Sequence, residues 1–347
     1  MRSLLVIATL LTFALVPPAL QAPVFAQEAP SPSGPPPASD APPVPQNDTD
    51  APTINVNVNL VNLYFSARDK DGFITNLVKS DCALAEDKTQ QTIKNFTQEK
   101  NLPLTIGILL DTSGSQMNVL PLEKESGATF LRDVLTPKDE AFLISFDINV
   151  DLLSDYTNRA SEISRAMNKA QINTGAGTGS VTGNGTPRGT LLFDAVFLAA
   201  NDKLRVEAGR KIIVMLTDGG DQGSQETLKT ATEAAQKANA IVYVILIADR
   251  GGYNGTIYLG DMGARDMDQL ARDTGGRVIN VGHDGKRLED AFNQIQEELR
   301  TQYLLSYTPT NPKADGSFRK IDLNCGSKLK IQTRKGYYAI SSADTGN

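Results

Sequence analysis

The sequence predicts a doubly wound, mostly parallel α/β sheet inserted between two flanks that form a small β-rich domain. Three observations lead there. Short apolar runs at residues 104–110, 142–146, 212–216 and 241–247 have the composition of strands that helices cover on both faces. Amphipathic stretches alternate with them: Leu228, Ala231, Ala235 and Ala238 share one helical face, as do Leu288, Ala291, Phe292, Ile295 and Leu299. Outside residues 101–302 the pattern reverts, on both sides, to strands alone.

The chain has 347 residues, enough for about two domains. With 34 Lys and Arg against 40 Asp and Glu it carries a net charge of −6, which argues against a nucleic-acid partner. A single His and two Cys exclude a His-pair catalyst and a four-Cys zinc site. Carboxylates and hydroxyls are the chemistry that remains.

Residues 1–26 have one early positive charge, a short apolar core and Val24-Phe25-Ala26 ahead of a cleavage point. They read as a secretory signal peptide, with an uncleaved membrane anchor as the alternative. No later segment approaches the length of a membrane span, so the mature protein is expected to be exported, periplasmic or extracellular. Residues 27–53 hold nine of the 18 prolines and almost nothing large and apolar. Such a composition cannot offset chain entropy by burial, so a disordered tether is expected.

The first β-rich flank covers residues 54–100. Ile54, Val56, Val58 and Leu60 alternate with asparagines as in a half-buried strand. Asp71-Gly72 marks a hairpin turn, with Phe73-Ile74 opening a return strand. The second flank, residues 303–340, carries strands at 303–307, 318–323, 329–333 and 336–340 and ends in a tail, 341–347. Neither flank is large enough to be comfortable alone, so the two are expected to pack together. Cys82 and Cys325, one in each, are a disulfide candidate that export would permit; two buried free thiols are the alternative. Closing so long a loop would contribute roughly 5 kcal/mol in the chain-entropy account.

The strongest local signal is Leu109-Leu110-Asp111-Thr112-Ser113-Gly114-Ser115, a buried strand ending on an acid, then two spaced hydroxyls. Asp218 stands at the same end of another apolar strand in Leu216-Thr217-Asp218-Gly219, and Thr190 sits in the turn that opens a helix near Leu191. Loops at the carboxyl ends of strands form the ligand crevice of an open α/β sheet. Two carboxylates and three hydroxyls are hard donors suited to Mg²⁺, with Mn²⁺ or Ca²⁺ as alternatives, and poorly suited to zinc. With few anionic ligands the ion would stay electron-poor and could accept a carboxylate from outside.

These three motifs, in this order, resemble the von Willebrand factor type A (VWA) domain over roughly residues 101–302, at its metal-ion-dependent adhesion site. The flanks, with the early hairpin and Gly336-Tyr337-Tyr338, resemble a VWFA-related family of exported bacterial proteins. The resemblance implies that Ser113, Ser115 and Thr190 contact the metal through hydroxyls, and that Asp111 and Asp218 act directly or through water. Met117 lies one residue later than the family pattern, and Cys82 stands where an aromatic is expected. The competing account is that Ser113 and Ser115 cap a helix while Asp111 and Asp218 bind turn amides.

Other motifs point elsewhere less well. Asp111-Thr112-Ser113-Gly114 and Asp273-Thr274-Gly275-Gly276 resemble an aspartic-protease pair. The second, however, follows an amphipathic helix, and the parallel pattern is wrong for that fold. The glycine-rich stretch 175–189 lacks the Lys-Ser/Thr of a P-loop and is expected to be a loop bordering the metal site. Residues 249–265 are expected to be a second loop on the same face, with Tyr253 and Tyr258 on the partner surface.

The expectation is therefore a secreted, non-enzymatic binding protein whose divalent cation takes a carboxylate from a protein partner. The alternative is a structural or assembly module with a vestigial metal site, binding through the β-rich domain.

Overall fold

The computed structural model describes residues 60–99, 102–173, 189–247 and 257–340, with backbone alone across 257–262. All lie within the compact unit Val56–Asn347. The expected signal peptide, tether, most of the 54–60 strand and the 341–347 tail fall outside the described residues.

Four strands come first: β1 (Val61–Arg68), β2 (Ala83–Glu86), β3 (Thr89–Gln91) and β4 (Ile93–Gln98). Then follow β5 (Leu104–Asp111), α1 (Leu120–Val134), β6 (Glu140–Phe146), β7 (Val150–Thr157), α2 (Ala160–Lys169) and α3 (Leu192–Leu198). The α/β succession continues with β8 (Arg210–Thr217), α4 (Leu228–Lys237), β9 (Ala240–Leu246), α5 (Ile257–Thr274), β10 (Val278–Asn280) and α6 (Gly285–Thr301). The chain returns to strands in β11 (Tyr303–Tyr307), β12 (Phe318–Asn324), β13 (Lys330–Thr333) and β14 (Gly336–Tyr338).

The central sheet runs β10-β9-β8-β5-β6-β7 and is parallel except for β7, which pairs antiparallel with β6 at one edge. Its apolar strands bury both faces, as their composition requires. Ile106, Ile108 and Leu110 of β5, with Tyr243 and Ile245 of β9, pack against Phe130, Ile163 and Phe292 of α1, α2 and α6. Leu109, Val242 and Val244 point the other way, onto Ala195, Ala235 and Leu270 of α3, α4 and α5. The sheet is thus doubly wound. The edge strand β7 gave no apolar run because its residues are half-buried or exposed.

The two flanks interleave strand by strand. One antiparallel sheet has the order β13-β1-β11-β4 and another β14-β12-β2-β3. Their shared core holds Leu63, Phe65, Leu84, Tyr303, Tyr307 and Ile321. Cys82 and Cys325 are disulfide-bonded across it, 243 residues apart in sequence. The expected return strand of the first hairpin does not form: β1 ends at Arg68, and a lone Arg68–Phe73 bridge follows. There Asp69 Oδ1 accepts from the backbone N–H groups of Asp71 and Gly72, making a local turn.

Glu298 ties these strands to the central sheet. Its Oε1 accepts from Ser66 Oγ of β1, Tyr243 OH of β9 and Gln332 Nε2 of β13, while Oε2 takes Arg277 Nε at 2.9 Å. A carboxylate this deeply buried is tolerated because each oxygen has a partner.

Two readings of local sequence need correction or closure. The expected 249–265 loop is helical from Ile257 onward, since Met267, Leu270 and Ala271 build a buried α5 face that carries the helix back through its glycines. Asp273 and Thr274 lie at the end of α5, and Gly275 turns the chain with φ +92°, so no strand leads into that motif.

Candidate metal centre

β5, β6 and β8 end side by side; the loops after β5 and β8 carry Asp111, Ser113, Ser115 and Asp218, and Thr190 comes from the connection between α2 and α3. Asp111 closes β5 and is fully buried. Its Oδ1 accepts from the Ser113 backbone N–H at 3.0 Å, and its Oδ2 from Thr217 Oγ1 at 2.7 Å. Thr217 is the last residue of the neighbouring strand β8, so this bond joins two of the three motifs. Asp218 follows at once, half-buried, with Oδ1 accepting from the Gly220 N–H at 3.2 Å.

The hydroxyls of Ser113 and Ser115 lie 3.1 Å apart. Ser113 precedes a short 3-10 turn, Gly114–Gln116, yet its side chain makes no capping bond. The residue preceding α1 is Val119, again without a side-chain cap. Capping therefore does not account for this pair of hydroxyls, although Asp111 and Asp218 do each accept from a turn amide, as the competing account has it. Ser113 is buried and Ser115 exposed, so the pair runs from the sheet edge to solvent.

Thr190 reaches the same edge through its backbone. It forms an isolated bridge with Gln222, whose N–H donates to Thr190 O at 2.8 Å. The 218–226 loop is held there by Asp221, whose Oδ1 accepts from the Leu192 and Phe193 N–H groups at the start of α3. Among the described residues, no side-chain hydrogen bond links Thr190 to Asp111, Ser113 or Ser115. Tyr253 lies outside the described residues, and Tyr258 falls in the first turn of α5, where only backbone is described.

Four contributors escaped the sequence reading. Thr217 stood inside a quoted motif without a role. Asp147, after β6, accepts from Thr112 Oγ1 at 2.7 Å and from Asn173 Nδ2 at 3.0 Å, and so anchors the first motif from behind. Asp221 has the loop-holding part just described. Glu123, in the first turn of α1, is 0% exposed and both of its carboxyl oxygens lack a hydrogen-bond partner. An acid in a helical first turn reads as an ordinary response to the helix dipole, which conceals its burial.

The electrostatics are those of concentrated negative charge. Burial, then the charge of Asp218, pushes the Asp111 carboxyl up to about 7, against the lowering effect of the Ser113 and Thr217 hydrogen bonds. Burial raises Glu123 well above the usual carboxylate range, and Asp111 and Asp218 add to it in that order. No Lys or Arg of the described residues offsets either group.

The donor set fits a hard divalent cation: carboxylate and hydroxyl oxygens, no sulfur, no imidazole. Among the described residues no three of His, Cys, Asp or Glu come together to hold an ion by themselves. A cation here would depend on the serine and threonine hydroxyls beside Asp111 and Asp218.

α5 backs directly against this edge. A β-carbon on Gly263 would stand 2.2 Å from Gly219 O, and Gly219 itself takes φ +88°. The two glycines allow helix and loop backbones to touch, which fixes where Asp218 emerges.

No protein-family profile matches the sequence, and no curated protein does. Among solved structures, the chain is similar to the conserved hypothetical protein BatB from Bacteroides thetaiotaomicron. The identity is 16% over 57% of this chain and 99% of that one, with a TM-score of 0.43. The vWF domain of the type V pili tip protein Mfa5 from Porphyromonas gingivalis is 12% identical over 58% of this chain and 96% of that one, TM-score 0.42. Proximal thread matrix protein 1 from the mussel byssus, with a zinc-occupied MIDAS motif, is 14% identical over 60% of this chain, TM-score 0.45; the match spans 48% of that protein's length. The chain's own strand order, its helices on both sheet faces and its motif-bearing loops at one sheet edge make the α/β part VWA-like in fold.

Proposed function

We propose that this is an exported, non-enzymatic binding protein that takes up a protein partner's carboxylate at a divalent cation, Mg²⁺ before Mn²⁺ or Ca²⁺. Asp111, Ser113, Ser115, Thr190 and Asp218 would hold the ion. The observation that carries the reading is the meeting of a buried Asp111, two hydroxyls 3.1 Å apart and Asp218 at the carboxyl ends of neighbouring strands, with no Lys or Arg of the described residues among the main influences on Asp111.

When bound, the cation supplies a positive centre with a coordination position open to an outside carboxylate. The chain's residues do the rest. Asp111 is held in place by Thr217 Oγ1 and the Ser113 N–H, so its lone pairs stay aimed at one point. Ser113 and Ser115 offer neutral oxygens that leave the ion electron-poor. Ser115 and Asp218 stand toward solvent, where a partner approaches.

Thermal unfolding in EDTA, then with Mg²⁺, Mn²⁺ or Ca²⁺, tests this beside Asp111→Ala and Asp218→Ala. A ligand at 100 times its dissociation constant stabilises by about 2.7 kcal/mol, an easily read shift. The expected result is a rise in the wild type that both variants lose. No rise with any ion would favour the assembly-module reading. That reading has its own feature, a cleft of about 360 Å³ lined by Asn62, Lys237, Asn311, Arg334, Tyr337 and Tyr338.

A further inference from the structure

Among the described residues, the two most deeply buried polar side chains with no hydrogen-bond partner at all, Gln116 and Glu123, follow directly on the Asp111–Ser115 motif. Gln116, 1% exposed, closes the 3-10 turn just after Ser115, and neither its Oε1 nor its Nε2 is hydrogen-bonded. Glu123, 0% exposed, stands one helical turn into α1, and neither of its oxygens is hydrogen-bonded. Buried polar groups are almost always satisfied, because each unmet one costs about 1–3 kcal/mol and a charged one more. A pair of orphans on one short stretch, 116–123, next to the proposed ligands therefore asks what completes them.

Asp111 and Asp218 both act electrostatically on Glu123. The three acids nevertheless do not form a group able to hold an ion directly. Glu123 is thus under the charge of the centre's two aspartates without belonging to a cluster of acids that could hold the ion alone. A carboxylate in that position gains what it lacks only when a positive charge and its hydration layer occupy the centre. Ala or Leu at position 123 would fill the space without leaving polar atoms unmet.

We propose that Glu123 is an outer-sphere carboxylate of the ion-bound centre, accepting hydrogen bonds from the ion's hydration layer and, once the ion is in place, adding a third negative charge to those of Asp111 and Asp218. The inference rests on the metal reading of the site and deepens it. It makes the centre more anionic than its motifs declare. The ion is then retained by the chain before any partner arrives. Glu123 is a positioning residue in this account, and Gln116 supplies a donor and an acceptor to the same layer.

The test is Mn²⁺ binding, read from the electron-spin-resonance signal of free Mn²⁺, for the wild type, Glu123→Gln and Glu123→Met. Gln keeps an acceptor oxygen without the charge; Met keeps neither. Changes to groups behind a metal's ligands cost about 10–100-fold in affinity. The expected result is Mn²⁺ binding by the wild type, weakened about tenfold in Glu123→Gln and further in Glu123→Met. Both variants should unfold at a temperature no lower than the wild type in EDTA, since each removes a buried unpaired acid. Equal Mn²⁺ affinity in all three would overturn the role of Glu123 and leave the metal reading intact. A wild type that binds no Mn²⁺ would overturn both. A purely structural Glu123 would change the unfolding temperature in EDTA and leave the affinity where it was.

Discussion

Thr217 Oγ1 donates a 2.7 Å hydrogen bond to Asp111 Oδ2 across neighbouring parallel strands, joining residues 106 positions apart. Both side chains are buried, so the bond is shielded from water and from salt. It gives one carboxylate oxygen a fixed direction and leaves the other to the Ser113 N–H. The first and third motifs of the candidate centre are therefore one hydrogen-bonded unit.

Thr217→Val keeps the side-chain shape and removes the donor. Equilibrium denaturation in EDTA should show a loss of about 1–3 kcal/mol, the usual cost of leaving a buried polar group unmet. Mn²⁺ affinity should fall about tenfold, as for other supports behind metal ligands. An unchanged affinity would mean that Asp111 is oriented by its backbone contact alone.

Stability without metal should depend on pH through Asp111. Its carboxyl is pushed from 3.8 up to about 7, first by burial and then by Asp218. A group whose pKa is raised on folding binds more protons in the folded state. Its contribution is complete below 3.8 and is lost as pH rises through about 7. Denaturation in EDTA at about pH 4.5, 6 and 8 should show falling stability, and Asp111→Asn should flatten that slope. The stabilisation given by a saturating divalent cation should grow over the same interval, because the ion favours the ionised carboxylate.

Gly263→Ala should push α5 away from the Asp218 loop, since the added carbon would meet Gly219 O at 2.2 Å. Forcing a methyl group into a closed contact costs about 1–3 kcal/mol. The expected readout is a lowered unfolding temperature together with a smaller cation-induced rise. A lowered temperature with a full-sized rise would show that the loop keeps its place without the helix.

Reduction of Cys82–Cys325 should destabilise the protein by about 2–5 kcal/mol, because the bond closes a span of 243 residues. Denaturation with and without reductant measures this. The cation response should survive reduction below the new midpoint, since neither cysteine belongs to the candidate centre.

Much of this protein is determined by its sequence alone. Apolar runs such as Ile106–Ile108–Leu110 report strands buried on both faces, because period-two patterns vanish when no face meets water. The order of Asp111-Thr112-Ser113-Gly114-Ser115, Gly189-Thr190 and Thr217-Asp218-Gly219, each beside a strand or helix end, marked the loops that gather at one edge. The expected export and one cysteine in each flank pointed to the bond that the structure contains.

Tertiary structure decided what depends on distant neighbours. β7 was hidden because an edge strand alternates imperfectly between sheet and solvent. Residues 249–265, after the fourth apolar strand, read as a loop, whereas from Ile257 onward they are helical and Gly263 serves a close backbone approach inside that helix. Glu123 stands in no motif of the sequence, and only the packing of α1 on the central sheet reveals that it is buried, unpartnered and under the charge of two aspartates. Local sequence specifies which elements form. Burial and charge at a given atom come from residues a hundred positions away, and those are brought together only by the fold.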